Sequence, residues 1–354
     1  MVEFGLILPL LLLLVFGMVE FSIALCLTAL VGTTALAVDL GRAWVVRNEL
    51  QNAADAAALA GAGSLGPNYK SPNWTQAAAK AQSAITLNRT EGTPLVTAQV
   101  QTGYWNVKGT PAGMQALPVA SPGAYDRPAV QVTVSRAAGQ NGGPLSLVLA
   151  PVLGITTLPI SATAVAVISA PGYAGPGALF PQAISQCLYS AYWNATTGQP
   201  VNDPATGQPK EFMIGSTYNY TGCAAGMGSG QWTSFQLNVQ DVTSIRNLIA
   251  NGNPTPLQIG DMTWIQSGMK NSIYNNVPYP ADVLLPVVAS LGSGSTGSPV
   301  PIVAFAPFHI ESADNGSKPY IYGHFIAGYK AAAASGGSGS ATYYGAVTAP
   351  SLAN

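Results

Sequence analysis

Between Phe4 and Val38 the chain runs for 35 residues with a single charge, Glu20. As one continuous helix this run would be about 50 Å long, whereas a bilayer core needs only ~20 residues or ~30 Å. A cleavable secretory signal is a poor fit, because such peptides have a basic leader and an apolar core of roughly 7–15 residues. Here no Lys or Arg precedes Arg42. Two spans forming a hairpin fit no better: turn-forming polar residues are missing around Glu20, and its flanks of 16 and 18 residues are each short for a span. The run therefore predicts one long helix, with a transmembrane anchor over residues 1–40. A carboxylate in hydrocarbon costs roughly 3 kcal/mol on insertion scales, and is ordinarily paired, protonated or turned toward a protein partner. Glu20 thus points to lateral association with another helix; a position at the membrane boundary is the alternative.

The remaining chain is poor in charge. Charged residues are 8% of the total, against about 25% in ordinary soluble domains. Hydrophobic content of 48% and a net charge of −1 argue against disorder. A polar but uncharged surface suits an exported protein, and with no basic cluster after residue 50 nothing attracts nucleic acid. Arg42 and Arg47 follow the apolar run, and read literally the positive-inside rule would keep the C-terminal portion in the cell. Composition points the other way, and a basic leader ahead of Met1 would reconcile the two. Cys26 lies in the apolar run as a small hydrophobe. Cys187 and Cys223 are expected to form a disulfide in an oxidising compartment, with two unpaired thiols as the alternative.

Helical spacing continues beyond the anchor. Leu50, Ala53, Ala54, Ala57, Ala58 and Gly61 share one face of a helix over residues 41–62. Their small size lets a neighbouring backbone approach, either from a partner helix or from this chain's own globular part. Asp39 and Arg42 can pair across a turn, and Gly61, Gly63, Gly66 and Pro67 end the helix. A second helix is expected from Trp74 to Leu87. Alternation predicts strands at 96–102, 130–135 and 160–168, and residues 145–155 read as a short helix despite Pro151. Together these make a small α+β module over residues 41–170.

Residues 171–181 have the composition of a linker. A mostly β domain over 182–354 follows, with strands expected at Phe212–Ile214, Leu257–Ile265, Val283–Val288, Ile302–Phe308 and Tyr320–Ile326. A helix at Asp241–Ala250 would use Asp241 as its N-cap. Glycine-serine runs at 292–298 and 336–340 read as loops. The fold class expected is α+β: a long N-terminal hydrophobic transmembrane helix, a small α+β module, and a mostly β C-terminal region.

Several stretches resemble a known family. MVEFGLILPLLLLLVFGMVEFSIAL (residues 1–25) has a Val-Glu-Phe opening, a Leu-rich run with one proline (Pro9) and a second Glu-Phe. It resembles the start of TadE-type pseudopilins of the tight-adherence (Flp/Tad) pilus. ALAVDLGRAWVVRNELQNAADAAALAGA (residues 35–62) resembles the N-terminal segment of TadG-like proteins, with the two patterns run together near Phe21. More weakly, residues 230–268 and the closing Tyr-Gly-Ala-Val and Leu-Ala-Asn resemble their C-terminal half. Prepilin peptidase sites of the family have Gly before the cut and Glu five residues after it. Counted back from Glu20, the cut would follow Val15, so an uncleaved anchor or a truncated start is expected. The Asp-x-Ser-x-Ser metal motif of von Willebrand factor A domains, found in some TadG-like proteins, is absent here.

Enzyme signatures are thin: no Gly-x-Ser-x-Gly elbow, Walker loop, His-Glu-x-x-His or dinucleotide fingerprint occurs. The two histidines, His309 and His324, flank the turn Asp314-Asn-Gly with Glu311 between them. They form a weak metal candidate beside the commoner reading of strand histidines bonded to backbone. Asn73, Asn88, Asn194, Asn219 and Asn315 stand in Asn-x-Ser/Thr triplets, a consequence of an Asn/Thr-rich surface. The resemblance implies a non-catalytic, membrane-anchored component of Flp/Tad pilus assembly with no cofactor. Its implied partners are other pilin or pseudopilin subunits, the Tad secretion machinery of the inner membrane, and lipid. Helix association is assigned to Glu20, Ala53, Ala54, Ala57, Ala58 and Gly61. A surface adhesin is the alternative, and a cation-dependent enzyme on His309, Glu311 and His324 the remote one.

Overall fold

The computed structural model describes residues 2–66, 68–118, 122–220, 223, 228–266, 271–291, 299–336 and 342–353. The apolar run becomes part of one 61-residue helix, α1 (Val2–Ala62). Every described side chain from Leu11 to Val38 is exposed, and apolar residues face outward all round the helix. Its hydroxyls are satisfied internally: Ser22, Thr28 and Thr34 donate to the carbonyls of Met18, Ala24 and Leu30, four residues back. Thr33 also donates to Leu30. Such back-bonding leaves no polar hydrogen seeking water, as a hydrocarbon setting demands. Among the described residues, one helix is long and apolar enough to cross a membrane.

Two compact units follow the chain's own packing. The first comprises Met1–Ala56, Ala84–Gln99 and Thr133–Thr163; the second comprises Ala57–Ser83, Val100–Val132 and Ala164–Asn354. Helix α2 (Trp74–Ile85) buries Ala77, Ala81 and Ile85, the i, i+4, i+8 stripe of one helical face. A five-stranded sheet contains β1 (Gln99–Asn106), β2 (Met114–Ala116), β3 (Asp126–Arg136) and β4 (Ile160–Val167). Ser351–Leu352 pairs with β4 at one edge and β2 lies at the other.

The larger sheet belongs wholly to the second unit. Its strands are β5 (Gln182–Ser185), β6 (Phe212–Ile214), β7 (Gly230–Trp232), β8 (Met262–Trp264), β9 (Ala281–Val288), β10 (Pro299–Asp314) and β11 (Tyr320–Phe325). They lie in the order β6–β11–β10–β9–β5–β7, with β8 also on β10. One face of this sheet carries an aromatic core that includes Phe212, Phe308, Phe325, Tyr189, Trp193 and Trp232. Tyr189 stacks on both Phe325 and Tyr344. The helix Val242–Asn251 is capped by Asp241, whose carboxylate accepts from the Ser244 amide at 2.8 Å.

Three expectations need correction. Residues 145–155 are not a helix: Leu145–Ser146 pairs with Thr157–Leu158 as a small hairpin, and its tip holds only a single 3-10 turn, Ala150–Leu153. Pro151 cannot donate, Gly154 closes the turn at φ 81°, and Asp39 takes the amides that would start a helix. Residues 171–181 are not an exposed connector, since Ala174, Leu179 and Phe180 are buried in the aromatic core and Tyr173–Ala174 pairs as a strand. The single strand expected at 257–265 is two, Leu257–Gln258 and β8, parted by a turn in which Gly260 has φ 96°. The glycine-serine run at 292–298 lies outside the described residues, as do 337–340.

Candidate functional site

The first unit builds a collar around α1 where the apolar run ends. Asp39, buried at 5% exposure, accepts three backbone amides from the hairpin tip: Val148 at 2.8 Å, Leu149 at 3.0 Å and Ala150 at 2.7 Å. One turn on, Arg42 donates to the Ser146 carbonyl and to Glu91. Glu91 also receives Arg136 at 2.7 Å, so one carboxylate holds two guanidinium groups. Burial pushes the Glu91 carboxyl up, and the bonds from Arg42 and Arg136 outweigh it, leaving it below its usual range. Glu49 completes the collar by accepting from the Thr90 hydroxyl and the Glu91 amide. The pairing of Asp39 with amides, and of Arg42 with Glu91, replaces the simple Asp39–Arg42 pair expected from spacing.

The proposed helix-association residues divide sharply. Ala53, Ala54, Ala57 and Ala58 are fully buried within this chain. Gly61 lies so near its neighbours that an added Cβ would meet Val130 Cγ1 at 2.9 Å, with the Ala77 carbonyl and the Ala81 methyl at 3.0 Å. At Gly61 this small-residue face packs on the chain's own Val130, Ala77 and Ala81. Glu20 is exposed on the apolar stretch. Cys187 and Cys223 are disulfide-bonded, with Cα atoms 5.1 Å apart, and Cys26 is free and exposed.

A second polar constellation sits on the face of the large sheet opposite the aromatic core. Phe308 and Ile310 are fully buried, so period-2 alternation turns His309 and Glu311 the other way. The same logic sets Tyr322 and His324 against buried Ile321 and Phe325. Strand register places Asp282, His309 and His324 directly across from one another on β9, β10 and β11. The β10–β11 register slips between Ile310 and Ser312, leaving Glu311 at an irregularity that re-aims its side chain over the histidines. Glu211, just ahead of β6, accepts the Tyr322 hydroxyl.

Distances within the group are short. His309 Nδ1 lies 2.5 Å from Asp282 Oδ1, and His309 Nε2 lies 3.4 Å from Glu311 Oε1. His324 Nδ1 is 4.0 Å from the same Glu311 oxygen, and the two imidazole rings are 5.2 Å apart. Ligand atoms of Glu211, Glu311 and His324 fall within 4.8 Å of one another. Burial pushes the His324 pKa down, helped by His309 and opposed by the nearby carboxylates. Donation to Glu211, with burial, pushes Tyr322 up to about 12. Glu211, Asp282 and Tyr322 were not singled out from sequence. Away from these groups, a shallow recess of about 280 Å³ is lined by Thr97, Ala98, Gln99, Thr133, Ser135 and Gln140, which offer hydroxyls and amides without a titratable side chain.

Residues 1–35 match the family model described as TadE-like protein, and residues 21–64 match that of Flp pilus-assembly TadE/G-like proteins. Residues 60–166 match the model of Tad-like Flp pilus assembly. By these matches the chain's first 166 residues belong to the TadE/TadG-like Flp/Tad pilus-assembly family. The first two matches overlap where the sequence runs the TadE and TadG patterns together, and the third begins as α1 ends. The collar thus lies inside the family-matched region, and the histidine constellation lies beyond it. No curated protein and no solved structure gives a significant match.

Proposed function

We propose that this chain is a membrane-anchored, non-catalytic component of Flp/Tad pilus assembly, held by α1 with its C-terminal portion in the periplasm or at the cell surface. Family membership supports the role in pilus assembly. One observation carries the anchoring: the described apolar side chains from Leu11 to Val38 are exposed, far more contiguous apolar surface than a soluble monomer presents. On this reading the span stops at the collar. Asp39 clamps an uncharged hairpin tip against α1 at the last residues of the apolar run. That tip exposes Val148, Val152 and Ile155. Trp44, 67% exposed and little more than a turn beyond Asp39, has the amphipathic ring that favours the membrane boundary. Anchor and collar together form a membrane helix with a shallow apolar foot beside it.

The disulfide and the weakly charged surface favour an extracytoplasmic C-terminal portion. Within the bilayer, exposed Glu20 is the group left to recognise a neighbouring pilin or pseudopilin helix, because the alanine face is already covered. Two measurements test this reading on cells carrying a C-terminal tag. Fractionation with protease treatment of spheroplasts should find the tag in the membrane and digestible; a soluble or protected tag refutes the anchor or its orientation. Mechanical shearing then separates roles: tag in sheared filaments makes the chain a minor pilin, and tag in the envelope alone makes it an assembly factor. Normal filaments with lost adhesion after deletion of residues 181–354 would favour the adhesin reading instead.

A further inference from the structure

The histidine constellation has too many acceptors for the protons it holds. With the His309 ring neutral and its proton on Nδ1 toward the Asp282 carboxylate, Nε2 presents a lone pair. That lone pair faces Glu311 Oε1 at 3.4 Å, acceptor against acceptor. His324 Nδ1 is buried without a hydrogen-bond partner and faces the same oxygen at 4.0 Å. Three carboxylates surround the pair, and among the described residues no Lys or Arg lies within ion-pair distance of them. Both histidines of a chain with only two, and fourteen acidic residues in all, converge on this patch.

We propose that His309, His324, Glu311 and Glu211 bind one divalent transition-metal ion of the Zn²⁺ type, with Asp282 and Tyr322 as positioning residues. Ligands about 2.0–2.1 Å from a tetrahedral ion are separated by roughly 3.4 Å. His309 and Glu311 already stand at that spacing, and the half-exposed glutamates close the rest by rotamer change. Asp282 on His309 Nδ1 is the carboxylate–histidine arrangement that orients an imidazole for a metal on its other nitrogen. Tyr322 does the same for Glu211 by donating its hydroxyl to that carboxylate. Two imidazoles with two carboxylates suit Zn²⁺, Co²⁺ or Ni²⁺ better than Mg²⁺ or Ca²⁺. Because Glu211 adjoins the edge strand β6, the ion would tie that edge to β10 and β11.

The test uses the full chain in detergent, without a polyhistidine tag and stripped by chelator. Titration with Zn²⁺ should show one equivalent bound. Glu311→Gln and His324→Asn should abolish it, and Asp282→Asn should weaken it about 10- to 100-fold. Absence of stoichiometric uptake, or uptake unchanged in Glu311→Gln and His324→Asn, would overturn the proposal. Should those variants misfold, Co²⁺ on the unmodified chain decides: intense visible bands of a four- or five-coordinate ion support the site, and the weak spectrum of hydrated Co²⁺ rejects it.

Discussion

Glu91 bears on two physical effects that substitution can separate. Its backbone has φ 44°, a left-handed conformation that costs a residue with a Cβ about 1–2 kcal/mol. It holds that shape in the turn between Arg89–Thr90 and Thr93–Pro94, followed by Gly92 at φ 74°. What offsets the strain is the pairing with Arg42 and Arg136. Arg136 is nearly buried, its side chain 9% exposed, whereas Glu91 and Arg42 are about one-third exposed. Removing one partner of a fully buried pair costs about 3–5 kcal/mol. With water reaching Glu91, about 2–3 kcal/mol is the fitting figure for Glu91→Ala. Glu91→Gly loses the same bonds but relieves the strained backbone, so it should be about 1 kcal/mol less damaging.

Since the chain has two units, a single global unfolding energy is ill defined, and hydrogen exchange is the better assay. The reporter is the Leu95 amide, which donates to the Asn88 carbonyl across the base of this hairpin. At tenfold per 1.4 kcal/mol, Glu91→Ala should speed its exchange roughly 30- to 100-fold, and Glu91→Gly several-fold less. Acid provides an independent check. The folded Glu91 carboxyl titrates below its ordinary 4.5, so as pH falls the unfolded chain takes up the proton first. The stabilisation is therefore complete above pH ~4.5 and is lost as pH falls further, and Glu91→Gln should erase that part of the acid dependence. Glu91→Ala with unchanged Leu95 exchange would refute the account of the bridge. Equal exchange in the Ala and Gly variants would refute the account of the backbone.

Two further outcomes follow from the same geometry. Asp39→Asn keeps a side chain of the same shape but loses the charge and one acceptor oxygen, so the amides of Val148, Leu149 and Ala150 should exchange at least tenfold faster; unchanged protection would mean that Asp39 does not hold the tip. Gly61→Leu must displace Val130 and the α2 backbone, and overpacking of about 3 kcal/mol should lower the yield and thermal stability of the detergent-solubilised chain. A Gly61→Leu chain as stable as the original would show that this face is open after all.

What could be read from sequence was whatever depends on near neighbours. The span needs only a count of charges between Phe4 and Val38, and the cap at Asp241 needs only the residues beside it. Alternation around Asp314-Asn-Gly put His309 and His324 on neighbouring strands, where the register makes them direct partners. The failures are matters of distance along the chain. Residues 145–155 have helical spacing, and the carboxylate that makes their start a loop lies 109 positions earlier. Glu211 stands 111 residues before the tyrosine that orients it. The alanine face is as suitable for a partner helix as for this chain's own globular part, so its spacing alone could not choose.

Scarcity of charge gives the remaining polar groups their meaning. In a chain with thirteen basic and fourteen acidic residues, several of the carboxylates have an evident counterpart. Asp39 has three amides, and Glu91 has two arginines. Asp126 accepts from the Gly123 amide and from the side chains of Asn106 and Gln115, which with Arg127 hold its carboxyl below the usual range although burial raises it. Each of these closes a local structure whose electrostatics balance. The patch of Glu211, Asp282, Glu311 and the two histidines does not balance, since it gathers carboxylates and lone pairs with no Lys or Arg in ion-pair distance among the described residues. A structural role alone would have been served at less cost by hydroxyls and amides, which this chain has in abundance. The imbalance is what a cation would remove, and that argument holds whichever role shearing assigns to the protein.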